Sequence, residues 1–595
     1  PDAGKNVSED TAGDVAERVN ARWMLLGSVL RAEPRFVAVG HLVDVSSGEE
    51  MASQRIDGQE GEDLFAVVDR LTAEVRKDLN LPESARDEPD RQVAEVTTGS
   101  QEAYRHYLEG LEFFDKFYFP DARASMRRAV ESDTTFAMAH YWLAELEDGD
   151  AVLRHIEKAK RHAKMVSAKE RMYIESLDAR IRDKDPEKSF RILKKILKEH
   201  PNDKRALFQL GEHEYFWRNH DQAIDYFTRI IELDPLNKRV YNKLAYAYQQ
   251  ADNFEKSIWA INKYIELAPD EPNPYDTRGD LYAWGGRLEN AIASFKKVLE
   301  IKPDFWDHAT RRKLASMLIL NRDYEEAEEV IRGFFTYSEA WTRSMGRSLL
   351  YLIPLHRGRF AEGLEMIDEG IAADEMEGYR GEWYLKKLDD RAKVYAELKE
   401  HTRALAEYEK YMEVLAERDE SNLAPLNYYA MLLANAGRLG DAERELNRYK
   451  EWAEESDPGG MVWYWVSLAG LERARGNAET ALEHMKRAFS HQLHSPHQVF
   501  VEKFLLGWSY LDTGDLGEAV QELEGALNRY DEDRARHFWS VKIHFVLAAA
   551  YEASGWTDNA IAQYEEFLDI YKDGDPDIPE VQSAGYSLAI LKSGS

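Results

Sequence analysis

Three histidines stand close together in the run His491-Gln492-Leu493-His494-Ser495-Pro496-His497. Imidazoles at i and i+3 can share a helix face and hold a transition metal, so His491, His494 and His497 are the candidate metal cluster. Ser495-Pro496 opposes that reading, because proline biases the residue before it away from helix. The alternative is an exposed loop between helices. Other signatures fail residue by residue. His213-Glu214 opens an H-E-x-x-H pattern, but Trp217 stands where the second histidine belongs. Asp573, Asp575 and Asp577 have the spacing of calcium-loop ligands, yet Ile578 replaces the glycine and Ala584 the bidentate glutamate. No phosphate-binding glycine loop and no nucleophile elbow occurs, and the chain has no cysteine. Thiol catalysis, disulfides and Cys-ligated zinc are therefore excluded. No cofactor is expected, and a metal-dependent enzyme built on the three histidines is the minor alternative.

Any site must be positioned by a chain of 595 residues, too long for a single core. Hydrophobic residues are 44% and charged residues 32%, a globular balance. With 110 acidic against 78 basic residues the net charge is −32, which argues against nucleic acid as a partner. No uninterrupted apolar run approaches the roughly 18 residues of a membrane span.

Residues 1–82 read as a small α+β unit. A short helical stretch from Asp14 to Ala21 leads into strands at Trp23 to Leu30, Phe36 to Val45 and Met51 to Ile56. Ser46-Ser47-Gly48 turns the chain between the last two. Leu64 to Leu79 has one apolar stripe and reads as a helix. The residues Trp23-Met24-Leu25-Leu26-Gly27-Ser28-Val29 and Leu42-Val43-Asp44-Val45-Ser46-Ser47-Gly48-Glu49 resemble the TolB amino-terminal-like domain. The resemblance implies an earlier strand and helix, so a chain beginning Pro1-Asp2-Ala3 is expected to be a fragment or a processed product. A charged, proline-bearing linker follows at 83–98.

From 99 to 595 the dominant signal is a period of 34. Pro201, Pro235, Pro269 and Pro303 keep that step, as do Gly211, Ala245 and Gly279, and Ala223, Ser257 and Ala291. Gly279, Tyr282, Ala291, Phe295 and Pro303 satisfy the pattern of the tetratricopeptide repeat, which this region resembles. Small residues let paired helices approach, and proline stops the second helix. The fold expected is mostly α: a tetratricopeptide solenoid of about 12–14 helical hairpins with a C-terminal capping helix, preceded by the partial α+β domain. The pattern is loosest around 335–400, where Pro354 should kink an apolar helix.

In such repeats the first helix of each hairpin is implied to line a concave groove. Carrying the family's positions over gives Arg171, Arg205 and Arg239 at 34-residue steps, then Phe208 and Asn242, Tyr246, Tyr215, Phe216 and Trp284. A cation at a helix N-terminus opposes the helix dipole, so local stability does not explain the arginines. A basic, aromatic-lined stripe suits an acidic or C-terminal peptide. Alternatively the arginines pair with neighbouring acids such as Asp203 or Glu232. The carboxylate clamp of chaperone-binding repeats is matched only by Asn242.

The function read from all this is a non-enzymatic scaffold that binds protein partners in the groove. The family resemblance implies the sensory or regulatory part of a bacterial signalling protein. A structural subunit of a larger assembly is the alternative, and homo-oligomerisation stays open. The absence of cysteine and the TolB-like match favour a periplasmic or extracytoplasmic location.

Overall fold

The computed structural model describes residues 9–18, 21–32, 35–59, six positions between 66 and 74, 98–306, 308–418, 422–490, 499–530 and 539–594. These residues form two compact units, Pro1–Pro274 and Tyr275–Ser595. Among them no helix is long and apolar enough to cross a membrane.

The first unit begins with the helix Glu9–Arg18 and three strands, β1 Trp23–Ala32, β2 Arg35–Asp44 and β3 Glu50–Gln59. They pair antiparallel in the order β1-β2-β3. Ala38, Gly40 and Leu42 alternate onto the buried face of the central strand, as the two-residue period of a strand requires. A Cβ on Gly40 would stand 3.1 Å from Leu71 Cδ1, so the missing side chain lets the helical residues near 71 lie close on the sheet. The turn is fixed by Asp44, whose Oδ1 accepts from the backbone N–H of Ser46 at 3.0 Å and of Ser47 at 3.1 Å. The helix expected over Leu64 to Leu79 is described only at six positions, and residues 83–97 of the linker lie outside the described residues.

Helical hairpins follow in tandem: Gln101–Asp115 with Phe119–Ser132, Ala137–Leu146 with Asp150–Arg161, and Ala168–Ile181 with Pro186–Glu199. Lys204–Phe216 pairs with His220–Leu233, and Lys238–Gln250 with Phe254–Leu267. The 34-residue period reappears in the backbone itself. Asp203 and Asn237 cap successive first helices, accepting from Ala206 N–H and Val240 N–H. Arg218, Asp252 and Gly286 adopt left-handed φ of 63°, 53° and 73° where the chain turns between paired helices. Only glycine does so without steric cost. Helix ends at Glu199, Leu233, Leu267 and Ile301 each fall two residues before the periodic proline. The small positions are contact points. A Cβ on Gly211 would lie 2.5 Å from Phe227 Cε1, inside van der Waals contact. Gly211→Ala is therefore expected to lose about 1–3 kcal/mol by overpacking, despite alanine's better helix propensity. Chemical denaturation checks this, and an unchanged midpoint would contradict the close packing.

The second unit continues with Leu288–Ile301, Ala309–Leu320 and Tyr324–Arg332. The helix Ala340–Leu350 then stops at Tyr351 and resumes as Leu352–His356. Pro354 is the reason: it has no N–H for the carbonyl four residues back, Leu350, and its ring crowds that carbonyl. Around this divergent stretch an ion network accompanies close packing at Gly346, Gly363 and Gly370. Lys387 and Asp374, both fully buried, meet at 2.9 Å, and Arg347 binds Asp374 at 2.9 Å and Glu377 at 2.9 Å. Burial pulls the Lys387 ammonium down to about 8.

The helix Phe360–Met376 follows, then hairpins run from Glu382–Glu397 with His401–Ala416 to Trp539–Ala553 with Thr557–Ile570, and the helix Pro579–Gly594 ends the array. One apolar core joins buried residues of 283–394 to those of 500–584, apart from the clusters of the hairpins between them. It is continuous because the unit closes on itself. Tyr530 N–H donates to Ala283 O at 3.0 Å, and Asp575 N–H to Gly358 O at 2.9 Å. Arg322 binds Asp569 at 2.9 Å, and Arg357 binds Asp573 at 3.2 Å.

Candidate functional site

The arginines expected to form an open stripe begin successive first helices of the first unit, but their guanidinium groups are engaged within it. Arg171 Nε–H donates to Ala163 O at 3.2 Å. Arg205 stacks on three rings from two preceding hairpins, 4.3 Å from the centroid of Tyr141, 4.8 Å from Trp142 and 4.2 Å from Tyr173. Arg239 lies 4.3 Å over Phe114 and 4.5 Å over Phe208, with Asp115 at 4.0 Å. The neighbouring lysines are paired as well, Lys204 with Asp234 at 2.6 Å and Lys238 with Glu271. The cause is the winding of the hairpins, which turns first helices of separate repeats toward one another. Gln209 Nε2–H accordingly reaches Tyr141 OH at 3.0 Å, 68 residues away. Each guanidinium thus has a partner within the unit, a backbone carbonyl for Arg171 and aromatic faces for Arg205 and Arg239.

The remaining expected groove residues divide. Phe208 carries Arg239 on its face. Tyr215 sits 6.0 Å from the His220 ring, and burial pushes its hydroxyl up to about 12. Asn242 is buried and Tyr246 half-buried, while Phe216 is 67% exposed. Trp284 belongs to the second unit, where it is buried with Arg529 5.4 Å from its ring centroid. His491, His494 and His497 lie outside the described residues.

The second unit holds a cavity of about 840 Å³. Seven helices contribute to it: Glu382–Glu397, His401–Ala416, Leu426–Asn435, Met461–Ala474, Ala478–Ser490, Val499–Thr513 and Trp539–Ala553. One wall is a tyrosine cluster, in which Tyr408 lies 5.1 Å from Tyr411 and 5.4 Å from Tyr428. Another is tryptophan-rich, with Trp463, Trp508 and Trp539. Charged residues at this lining are held by internal partners. Arg473 sits 4.0 Å over Trp508 and binds Asp512 at 2.7 Å. Lys542, almost wholly buried, binds Glu397 and, at 3.1 Å, Glu580. Asp389 accepts from Lys393 at 2.7 Å and Lys386 at 3.1 Å. Burial raises the Asp389 carboxyl, but the two ammonium groups outweigh it and hold it below the usual carboxylate range.

The tetratricopeptide repeat family matches residues 208–272, and a second tetratricopeptide repeat model matches 273–305, 503–533 and 541–573. Tetratricopeptide repeats are present in this chain. No curated protein matches it. Among solved structures, MamA from residue 41 to its end, from Desulfovibrio magneticus RS-1, is similar at 16% identity with a TM-score of 0.21. That match covers 35% of this chain and 98% of MamA.

The repeat matches bear on both places. The stretch 208–272 contains Phe208 and Arg239, and 503–533 and 541–573 supply Trp508 and Lys542 to the cavity. The periodic repeat positions pointed to the first unit and missed the cavity. Its residues come from hairpins between 382 and 553, where register slips from one hairpin to the next. The available signal was compositional: Tyr408, Tyr411, Tyr428 and Tyr429 fall within 22 residues of one another.

Proposed function

We propose that the protein is a non-enzymatic interaction scaffold, and that the aromatic cavity of its second unit receives a segment of a protein partner. The repeats supply the class, since tetratricopeptide repeats are generally non-enzymatic modules that bind proteins. The cavity supplies the place, because it offers aromatic surface beside charges already fixed by internal partners. In the first unit Phe216 stays exposed among the expected groove residues. The reading keeps the sequence-based division into an α+β domain to 82, a linker, and a repeat array from 99. The TolB-like resemblance supports a regulatory or sensory role in a bacterial signalling protein, on the periplasmic or extracytoplasmic side.

Photo-cross-linking tests it. With p-benzoylphenylalanine in place of Trp463, irradiation in the source cells is expected to give discrete adducts. The same residue in place of Leu153, exposed in the first unit, should give none of them. Identical adduct patterns from both positions would defeat the assignment of the cavity.

A further inference from the structure

Resting on that reading of the cavity, we propose that the partner segment it receives is uncharged. Large apolar side chains enter the cavity, and carbonyl oxygens of the segment accept hydrogen bonds from its wall. Charge at the lining is balanced within the unit. Lys386 and Lys393 hold Asp389 at 3.1 and 2.7 Å, and Arg473 holds Asp512 at 2.7 Å. Lys542 binds Glu397 and Glu580, and Lys399 adds its attraction for Glu580. Each of these cations already acts on a carboxylate. An incoming acid or base would lose its water and find no unpaired ion in exchange.

What the lining leaves open is neutral. Met431, Met485, Val501 and Leu505 give an apolar floor beneath the aromatic walls. The two methionines can adapt to side chains of different shape. The hydroxyls of Tyr411, Tyr428 and Ser467 line the cavity without a hydrogen-bond partner among the described residues. Burial pushes Tyr411 up to about 12 and raises Tyr428 as well, so both keep their protons and remain donors at neutral pH. A hydrocarbon occupant would leave these hydroxyls desolvated and unpaired. A sugar would bring many hydroxyl donors, and the carboxylates they would need, Asp389 and Glu397, are engaged. A short peptide stretch bearing Phe or Leu satisfies both demands: its side chains cover the floor, and its carbonyls accept from the hydroxyls. The volume of about 840 Å³ suits it, lying within the roughly 300–1,000 Å³ of sites that enclose ligands of that bulk.

The test uses the full chain and unlabelled peptides, capped at both ends, in isothermal titration calorimetry. The first is Gln-Phe-Asn-Leu-Gln. A second replaces its amides by Glu and Asp, a third replaces them by Lys, and a fourth replaces Phe and Leu by Ala. The first is expected to bind at least about tenfold more tightly than any of the others. Its affinity should change little as salt is raised, since no ion pair forms. Two variants accompany it. A Cβ on Gly470, which lines the cavity, meets nothing nearer than Met431 Cγ at 3.7 Å. Gly470→Phe therefore fills the cavity without backbone conflict, and should abolish binding with no fall in Tm. Tyr411→Phe with Tyr428→Phe removes two hydroxyls that bond to nothing within the unit, and should weaken binding severalfold at unchanged Tm. Two results overturn the uncharged assignment while leaving the docking site standing. One is an acidic or basic peptide binding as tightly as the neutral one. The other is no binding of the neutral peptide while position 463 still gives discrete adducts. No peptide binding that Gly470→Phe removes, together with no discrete adducts from position 463, overturns the docking site itself.

Discussion

Arg205→Ala is expected to lower the stability of the first unit by about 3 kcal/mol. The guanidinium touches Tyr141, Trp142 and Tyr173 at 4.2–4.8 Å, and its Nε and Nη2 are buried without hydrogen-bond partners. Its attachment is thus chiefly to ring faces, each contact worth about 0.5–2 kcal/mol where water is excluded. Truncation also leaves a void among three large rings from two other hairpins. Arg205→Lys keeps the charge but loses the planar stack, and should cost about half as much. An arginine lying open on a solenoid surface would cost within about 0.5 kcal/mol either way. Urea unfolding followed by fluorescence separates the two. A shift under that limit for the alanine variant would show that the stack holds nothing together. The same contacts change the expected outcome of charge reversal at Arg171, Arg205 and Arg239. As an open ladder the triple glutamate variant would melt normally; with two carboxylates placed against aromatic faces it should unfold the first unit.

Lys542→Met should cost the second unit about 3–5 kcal/mol. Lys542 is almost wholly buried and bridges Glu397, on a helix far back in the chain, to Glu580 on the final helix. Removing the ammonium leaves two carboxylates facing each other in a sparsely hydrated place, which costs more than the bridge itself contributes. The final helix should loosen first, read by hydrogen exchange of residues 579–594; unchanged protection there would refute the bridging role. The pH dependence has a definite sign. Burial raises the Glu580 carboxyl, but Lys542 outweighs it, so its folded value lies below the ordinary 4.5. Its contribution is complete above that value and is lost as pH falls through the lowered one. Burial lowers Lys542, but Glu397 and Glu580 outweigh it, so its folded value lies above 10.5. That contribution is complete below 10.5 and is lost as pH rises past the folded value. The loss of stability in Lys542→Gln should therefore be largest near neutral pH and shrink as pH falls and the two unpaired carboxylates take up protons.

Particular residues show what could be foreseen. Gly211 against Phe227, and the prolines two residues beyond successive helix ends, follow from local packing and backbone chemistry that recurs every 34 residues. Pro354 broke its helix for the same local reason. The groove positions were foreseen as places on first helices, but the sequence left open whether their cations face a groove or pair internally. Whether Arg239 faces solvent or Phe114 depends on how far the array winds over several hairpins. Small angular steps at each interface accumulate, and no single repeat encodes their sum.

The sequence by itself determined the helical hairpins, their turns and their small-to-large contacts, because each is settled by residues within about 34 positions of one another. Only the tertiary structure decided that Arg205 would be stacked, that Tyr530 would meet Ala283 and that Lys542 would join Glu397 to Glu580. It also decided that tyrosines and tryptophans from separate repeats would enclose a cavity. These contacts join residues tens to hundreds of positions apart, so they exist only once the superhelix has turned far enough to bring them face to face.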